Sequence, residues 1–111
     1  MAATNLGMLE LTVLLAVARL SGEAYGLAIR RDLAARTGRD YSVGAIYTTL
    51  DRLEAKGFVR SRRTAPVAKR GGRSRREFEV TGAGARAIRR AERTARGVWA
   101  GVGNVVNPET P

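Results

Sequence analysis

The stretch from Ser42 to Gly57, SVGAIYTTLDRLEAKG, decides how the rest of the chain is arranged. Ser42 precedes an apolar periodic run, where its hydroxyl can cap a helix, and Gly57 follows it, where a left-handed stop is favoured. One stripe of this helix is apolar and comprises Val43, Ile46, Leu50 and Leu53. The opposite face is small and polar, with Gly44, Thr48, Asp51 and Arg52, and Tyr47 lies on the flank. This pattern predicts a helix with one face in the core and the other pressed into a groove.

The charge is concentrated in one segment that follows this helix. The chain has 111 residues, which suits one small domain, and carries a formal net charge of +10, which predicts a polyanionic partner. The segment 60–76 contains eight cations and no acid, namely Arg60, Arg62, Arg63, Lys69, Arg70, Arg73, Arg75 and Arg76. The other residues hold twelve Lys or Arg against ten Asp or Glu and are close to neutral.

Cysteine and histidine are both absent from the sequence. Disulfides, zinc sites and Cys or His nucleophiles are therefore excluded, and we expect no metal, no cofactor and no enzymatic activity. The most apolar stretch, Leu9 to Leu20, contains Glu10 and Arg19 and is too short to span a bilayer. No leader pattern precedes it, so we expect a cytoplasmic protein with no membrane partner.

Two further helices are predicted before Ser42. The first, at about 6–20, is apolar nearly all round, which indicates a central core helix, a helix partly covered by a second subunit, or both. The second, at about 24–36, buries Tyr25, Ile29 and Leu33 at four-residue spacing and ends at Gly38. Its short connection to Ser42 predicts a helix-turn-helix arrangement.

After Gly57 the apolar period changes from 3.6 to 2. Residues 58–63 and 75–80 therefore read as paired strands, and Pro66, Gly71 and Gly72 mark the loop between them. A basic hairpin directly after such a helix is typical of the wing of a winged helix-turn-helix protein. The predicted fold class is mainly α with a β-hairpin wing.

Thr81 is placed to cap a last helix from Gly82 to about Asn107. Its apolar residues alternate three and four apart in a heptad seam: Ile88, Ala91, Ala95, Val98, Val102 and Val105. Such a long seam predicts a homodimer; the alternative is a helix folded back on its own domain. The predicted organisation is a DNA-binding domain at 1–80, a dimerisation helix at 81–107 and a disordered tail at 108–111.

Four segments together resemble the PadR-type transcriptional regulators, in particular short members with one C-terminal helix. These segments are LELTVLLAVARL, EAYGLAIRRDL, SVGAIYTTLDRLEAKGFVRS and GGRSRREFEVTGAG, and the likeness extends from about Leu9 to Thr94. The resemblance implies a dimeric winged-helix repressor in which the first helix, through Leu9 and Val13, joins the seam in the subunit contact.

The resemblance also implies how double-stranded DNA is bound. Two copies of the 42–56 helix would enter successive major grooves of an inverted repeat. Base edges would be approached by Ser42, Gly44, Ala45, Thr48 and Arg52, whereas Tyr47 would bond a phosphate. The wing would track phosphates through Arg62, Lys69, Arg70, Arg73, Arg75 and Arg76. Family members carry Tyr-Tyr-Arg on the second wing strand where this chain has Glu77, Phe78 and Glu79, and we expect both glutamates to face away from DNA.

The single tryptophan, Trp99, has two interpretations. In some short relatives a tryptophan from each last helix stacks on a planar aromatic or cationic ligand, and Trp99 lies in the corresponding stretch. It would then be part of an effector site whose occupation lowers DNA affinity, with Glu92 available to a cationic ligand. The other interpretation is that Trp99 only packs beside the seam.

Other functions are compatible with a basic hairpin. One is non-specific binding of DNA or RNA, and another is an adaptor whose winged helix binds a protein. The basic hairpin disfavours the adaptor, because its partner would need an acidic surface of matching shape.

Overall fold

The computed structural model describes residues 6–65 and 74–106. In chain order the elements are α1 (Met8–Arg19), α2 (Gly26–Thr37), α3 (Val43–Ala55), β1 (Val59–Arg63), β2 (Arg76–Val80), α4 (Gly82–Trp99) and α5 (Gly103–Val106). This is the mainly helical chain with a two-stranded hairpin that the periodicity predicts. The predicted hairpin-loop glycines and proline, and the predicted tail at 108–111, lie outside the described residues.

The helix boundaries follow the predicted capping residues. The Ser42 hydroxyl accepts a hydrogen bond from the Ala45 N–H at 3.0 Å, and the Thr81 hydroxyl accepts one from the Gly84 N–H at 3.0 Å. Each bond satisfies a backbone donor that the first helical turn leaves without a partner. Gly57 ends the third helix at φ 79°, a left-handed conformation that side chains other than glycine rarely adopt.

The core is built around α1, which packs against α2, α3, α4 and β2. Its buried residues come from every helix except α5 and from the hairpin: Val13, Leu14, Ala16, Val17, Ala24, Ile29, Leu33, Ile46, Leu50, Leu53, Phe58, Val59, Phe78 and Ala87. Val13 is fully buried by its own chain, so the prediction that it contacts a second subunit is wrong.

The buried stripe of α3 differs from the predicted one at its first turn. Val43 is 43% exposed, so its assignment to the core is wrong, whereas Thr49 is only 3% exposed. The Thr49 hydroxyl donates to the Ala45 carbonyl at 2.8 Å, which satisfies it without a partner from another element. The start of α3 therefore projects beyond the core and presents an apolar side chain to the surface.

The hairpin is fastened to the start of α2. Its strands pair antiparallel with Arg62 opposite Glu77 and Arg63 opposite Arg76. The Phe78 N–H donates to the Ala24 carbonyl at 2.8 Å, and Tyr25 forms an isolated antiparallel bridge with Glu77. The position of the wing is thus set by backbone hydrogen bonds to the α2 end of the helix-turn-helix.

The last helix is shorter than predicted. It ends at Trp99, and Gly101 adopts φ 84° before α5 begins at Gly103. The expectation of one continuous helix to about Asn107 is therefore wrong. Glycine lowers helix propensity by roughly 1 kcal/mol, and Gly97, Gly101 and Gly103 fall where little of the chain packs against the helix. Val102 and Val105 consequently lie beyond the break rather than on a continuous seam.

We predict that Gly84→Ala destabilises the fold, because a Cβ at this position would lie 2.1 Å from the Phe58 carbonyl oxygen and 2.9 Å from Val80. Over-packing against backbone should lower the free energy of unfolding by about 3 kcal/mol. Gly97→Ala is the matched control, since its Cβ would meet nothing within 4 Å, and it should raise that energy by about 0.5–1 kcal/mol. Urea denaturation followed by circular dichroism measures both, and equal midpoints would contradict the close approach.

Candidate nucleic-acid interface

The outer face of α3 is open from its N-cap Ser42 to Arg52 in its last turn. Ser42, Gly44, Thr48 and Arg52 are exposed there, and Ala45 is half-buried. A Cβ built on Gly44 would meet nothing within 4 Å, so no other part of the described chain covers this face. The exposed Val43 adds methyl groups beside Gly44, a feature that the periodicity assigned to the core. The face is flat, uncovered and able to lie close against a partner.

Tyr47 joins α3 to the start of α2. Its ring lies 6.5 Å from that of Phe78, centroid to centroid, and a Cβ on Gly26 would lie 2.6 Å from its hydroxyl oxygen. A side chain at position 26 would therefore push the two helices apart. No side chain of the described residues caps the start of α2. The Tyr47 hydroxyl and the first N–H groups of α2 are thus neighbouring donors, an arrangement that suits an anionic oxygen. The sequence pattern identified Tyr47 but not the helix start beside it.

Arg76, predicted to contact DNA, is held by the acids of α3. Its guanidinium lies 2.7 Å from the Glu54 carboxylate and 3.2 Å from that of Asp51, and it sits 4.8 Å above the Phe78 ring. Arg63 lies directly opposite on β1, and such like-charge pairs destabilise a hairpin unless acids offset them. Arg76 therefore ties the wing to α3 and neutralises two of its carboxylates.

Arg75 is held in a similar way against α2. Its guanidinium lies 3.7 Å above the Tyr25 ring centroid and 2.9 Å from both Glu77 and Glu23. Desolvation acts to lower the pKa of Arg75, but the hydrogen bond to Glu77 and the charges of Glu77, Tyr25 and Glu23 outweigh it and raise that pKa. The side chain is only 23% exposed, so it acts as a tie between hairpin and helix.

The two wing glutamates also pair with neighbouring arginines. Glu79 lies 2.5 Å from Arg60, and Glu77 lies 3.9 Å from the mostly exposed Arg62. Arg63 is exposed and makes no ion pair with any described residue. Within the described part of the hairpin, the unneutralised cation is therefore Arg63, which the site prediction did not include. The predicted contacts Lys69, Arg70 and Arg73 lie outside the described residues.

A second apolar surface lies between α1 and α4. A groove of about 400 Å³ runs along both helices and is lined by Leu6, Leu11, Ala87, Arg90, Ala91, Thr94, Ala95, Val98 and Trp99. Val98 is 72% exposed and Trp99 66% exposed. A contiguous exposed apolar strip of this kind marks a surface that binds a partner. It contains three of the six predicted seam residues, Ala91, Ala95 and Val98, together with Leu11 of α1, which the seam prediction did not name.

Two helices joined by a short turn, followed by a paired basic hairpin, define the winged helix-turn-helix class. The chain belongs to the transcriptional regulator PadR-like family, whose sequence model matches residues 14–90. This confirms the family that the four sequence segments resemble. Family membership makes the chain a transcriptional regulator rather than an enzyme.

Solved structures agree with this assignment. A PadR family transcriptional regulator from Eggerthella lenta is 28% identical, with a TM-score of 0.68 and coverage of 91% of this chain and 89% of its own. A PadR-like regulator from Bacillus cereus is 21% identical and shares the fold with a TM-score of 0.74, covering 93% of this chain and 95% of its own. The protein chain in the structure of the hsRosR-S4 complex is 25% identical to this chain. The two superpose with a TM-score of 0.64, covering 87% of this chain and 76% of the other. No curated protein matches the sequence significantly.

Residues 6–65 and 74–106 contain neither a membrane-spanning helix nor a cluster of metal ligands. No helix there is long and apolar enough to cross a membrane. No group of three or more Asp or Glu side chains comes together there in a way that could hold a metal ion.

We predict that Arg76 and Glu54 are energetically coupled. A double-mutant cycle with Arg76→Gln and Glu54→Gln should give a coupling of about 0.5–1 kcal/mol in the free energy of unfolding, as expected of a half-exposed ion pair. Arg63→Gln is the control, because it removes the same charge from the opposite strand and should show no coupling to Glu54. Urea denaturation measures each variant. Equal coupling for both arginines would mean that the pair is only a long-range charge effect.

Proposed function

We propose that the chain is a sequence-specific DNA-binding repressor that acts as a homodimer on an inverted-repeat operator in the cytoplasm. The observation that carries this proposal is the uncovered outer face of α3, which includes Arg52; neither Arg52 nor Arg63 of β1 forms an ion pair with a described residue. Residues 1–80 would form the DNA-binding domain and 81–107 the dimerisation segment. Family membership supports the regulatory role.

Base readout is assigned to the exposed outer face of α3. Thr48 and Arg52 carry the hydrogen-bonding groups on this face, and an arginine pairs most readily with guanine O6 and N7. Gly44 and Ala45 allow close approach, while the exposed methyl groups of Val43 suit the methyl group of thymine. Ser42 would then lie at the groove edge, its hydroxyl already engaged by the Ala45 N–H.

Phosphate contacts are assigned to two places beside that helix. The first is the Tyr47 hydroxyl together with the uncapped start of α2. The second is the hairpin, through Arg62, Arg63 and the loop cations Lys69, Arg70 and Arg73. Arg75 and Arg76 serve instead to hold the hairpin and to screen Glu77, Asp51 and Glu54, which would otherwise repel DNA.

Dimerisation is assigned to the groove between α1 and α4. A second copy placed on this strip would cover Val98 and Trp99 and the α4 seam residues Ile88, Ala91 and Ala95, together with Leu11 and Leu15 from α1. Leu9 packs partly against the chain's own core and lines neither groove, so its place in the interface rests on the family resemblance. Such a two-fold interface carries two α3 helices, which read half-sites one turn, roughly 34 Å, apart. Val102 and Val105 join the interface if α5 packs against the second copy.

An effector site is assigned to the same groove. Trp99 is 66% exposed in the single chain, so in the dimer its ring would face the second copy and can stack on a planar aromatic molecule held between the two subunits. Glu92 is paired with Arg96 at 3.0 Å, which favours a neutral aromatic over a cationic ligand. A ligand here would change the angle between the two α3 helices and release the operator.

We predict that Thr48→Ala lowers affinity for the operator without changing its salt dependence. Fluorescence anisotropy on a duplex from upstream of the protein's own gene, against a scrambled duplex, should show specific binding that falls about tenfold in this variant.

We predict that Arg63→Gln weakens the salt dependence of DNA binding. It removes two phosphate contacts per dimer, so the slope of log K against log salt concentration should become less steep by about 2. Equal binding of both duplexes by the wild type would support the rival function, a non-specific DNA- or RNA-binding module.

We predict that Val98→Asp converts the dimer to a monomer, because it places a carboxylate in the apolar groove. Sedimentation equilibrium should show the loss of dimer at micromolar concentration, with the circular dichroism spectrum retained. Arg96→Gln lies on the opposite face of α4 and should leave the dimer intact. An unchanged mass for Val98→Asp would place the interface elsewhere.

A further inference from the structure

The sequence concentrates its positive charge in segment 60–76, but most arginines without an ion pair among the described residues lie elsewhere. Every Asp and Glu within 6–65 and 74–106 pairs with a Lys or Arg, and most of the described hairpin arginines are consumed in this way. Along α4, in contrast, four exposed arginines form no ion pair with any described residue: Arg86, Arg89, Arg90 and Arg93. We call these four residues the arginine stripe.

The arginine stripe occupies one face of α4. At 100° per residue its members fall within roughly a third of the helix circumference. The opposite face carries Ala87 and Ile88, which pack against the core, and the apolar groove residues. Arg86 and Arg93 lie along the middle of this face, whereas Arg89 and Arg90 lie at its two margins and line the grooves that α4 forms with α1.

The stripe has no stabilising role in the chain itself. Its members stand three and four residues apart, as in Arg86–Arg90 and Arg89–Arg93, where like charges destabilise a helix. An i,i+4 partner of opposite sign is supplied only at the margin, where Glu92 pairs with Arg96. A bound polyanion would relieve this repulsion.

We propose that the arginine stripe is a second DNA-binding surface, which takes a duplex segment other than the one bound by α3. From Arg86 to Arg93 the helix rises roughly 10 Å, a length over which one strand of duplex DNA presents about three phosphates. The four guanidiniums thus match a short run of backbone in charge and length. Arginine suits this contact because its fork can donate two hydrogen bonds to one phosphate.

An anionic lipid surface fits the stripe less well than DNA does. A helix that lies in a membrane interface buries its apolar face in the bilayer while its basic face meets the headgroups. On α4 the apolar residues Ala87 and Ile88 are already packed against the chain's own core. Its exposed apolar residues Val98 and Trp99 lie in the groove assigned to the second copy, so no apolar face is left for insertion, which favours a rigid polyanion. The consequence is that one dimer can bridge two DNA segments.

The test measures bridging between two duplexes. Purified protein is bound to an immobilised duplex from upstream of its own gene, and retention of a fluorescent unrelated duplex is measured. The variant Arg86→Gln, Arg89→Gln and Arg93→Gln omits Arg90, which borders the apolar groove. We expect it to bind the immobilised duplex within about twofold of the wild type and to retain at least tenfold less of the second duplex. The matched Lys variant at the same three positions keeps the charge and should restore retention.

Three outcomes would overturn the proposal. The first is retention by the Gln variant equal to that of the wild type. The second is an equal loss of binding to both duplexes, which would make the stripe part of the first contact. The third is binding of vesicles of phosphatidylcholine and phosphatidylglycerol that the Gln variant loses, with no bridging by the wild type. Arg52→Gln separates this test from the proposed function, since it should weaken only the immobilised contact.

Discussion

The burial of α1 is the constraint on which the other elements depend. This helix packs against α2, α3, β2 and α4, so a single apolar element positions both the open face of α3 and the groove beside α4. Each fully buried Val or Leu contributes roughly 1.5–3 kcal/mol, and Val13, Leu14 and Val17 are all buried. Packed protein interiors have low compressibility and transmit strain. A displacement of the residues that line the groove can therefore pass through α1 and change the orientation of α3.

Ion pairs orient the hairpin relative to the helices that pack around α1. Arg75 and Arg76 are neighbours on the hairpin, yet Arg75 is held by Glu77 of β2 and by Glu23 in the connection before α2, whereas Arg76 is held by acids of α3. The pairs with Glu23, Asp51 and Glu54 are partly exposed and contribute little to stability by themselves, whereas the Arg75–Glu77 pair is mostly buried. Together they orient the wing and neutralise carboxylates near the open face. The distribution of unpaired cations, rather than the total charge, then marks the surfaces that can meet a polyanion.

Local signals were sufficient to predict most of the fold. Ser42 and Thr81 cap the predicted helices, because an N-cap hydroxyl acts within three residues. The change of apolar period located the hairpin to within a residue. The errors arose where a local pattern could not report its surroundings: Val43 has the right period for the core but lies beyond its edge. The predicted last helix ran past Trp99 because a heptad pattern does not reveal whether anything packs against it.

The sequence by itself therefore determined the order and type of the elements, the family, and the identity of α3 as the helix with a small polar face. It did so because caps, turns and periodicity act over a few residues. Only the tertiary structure decided which charges are free. Asp51 and Arg76 are 25 residues apart in the chain but paired in space, and no local pattern carries that information. The same long-range packing placed Gly26 under Tyr47 and left the arginine stripe of α4 without acids, since such contacts exist only once distant segments meet.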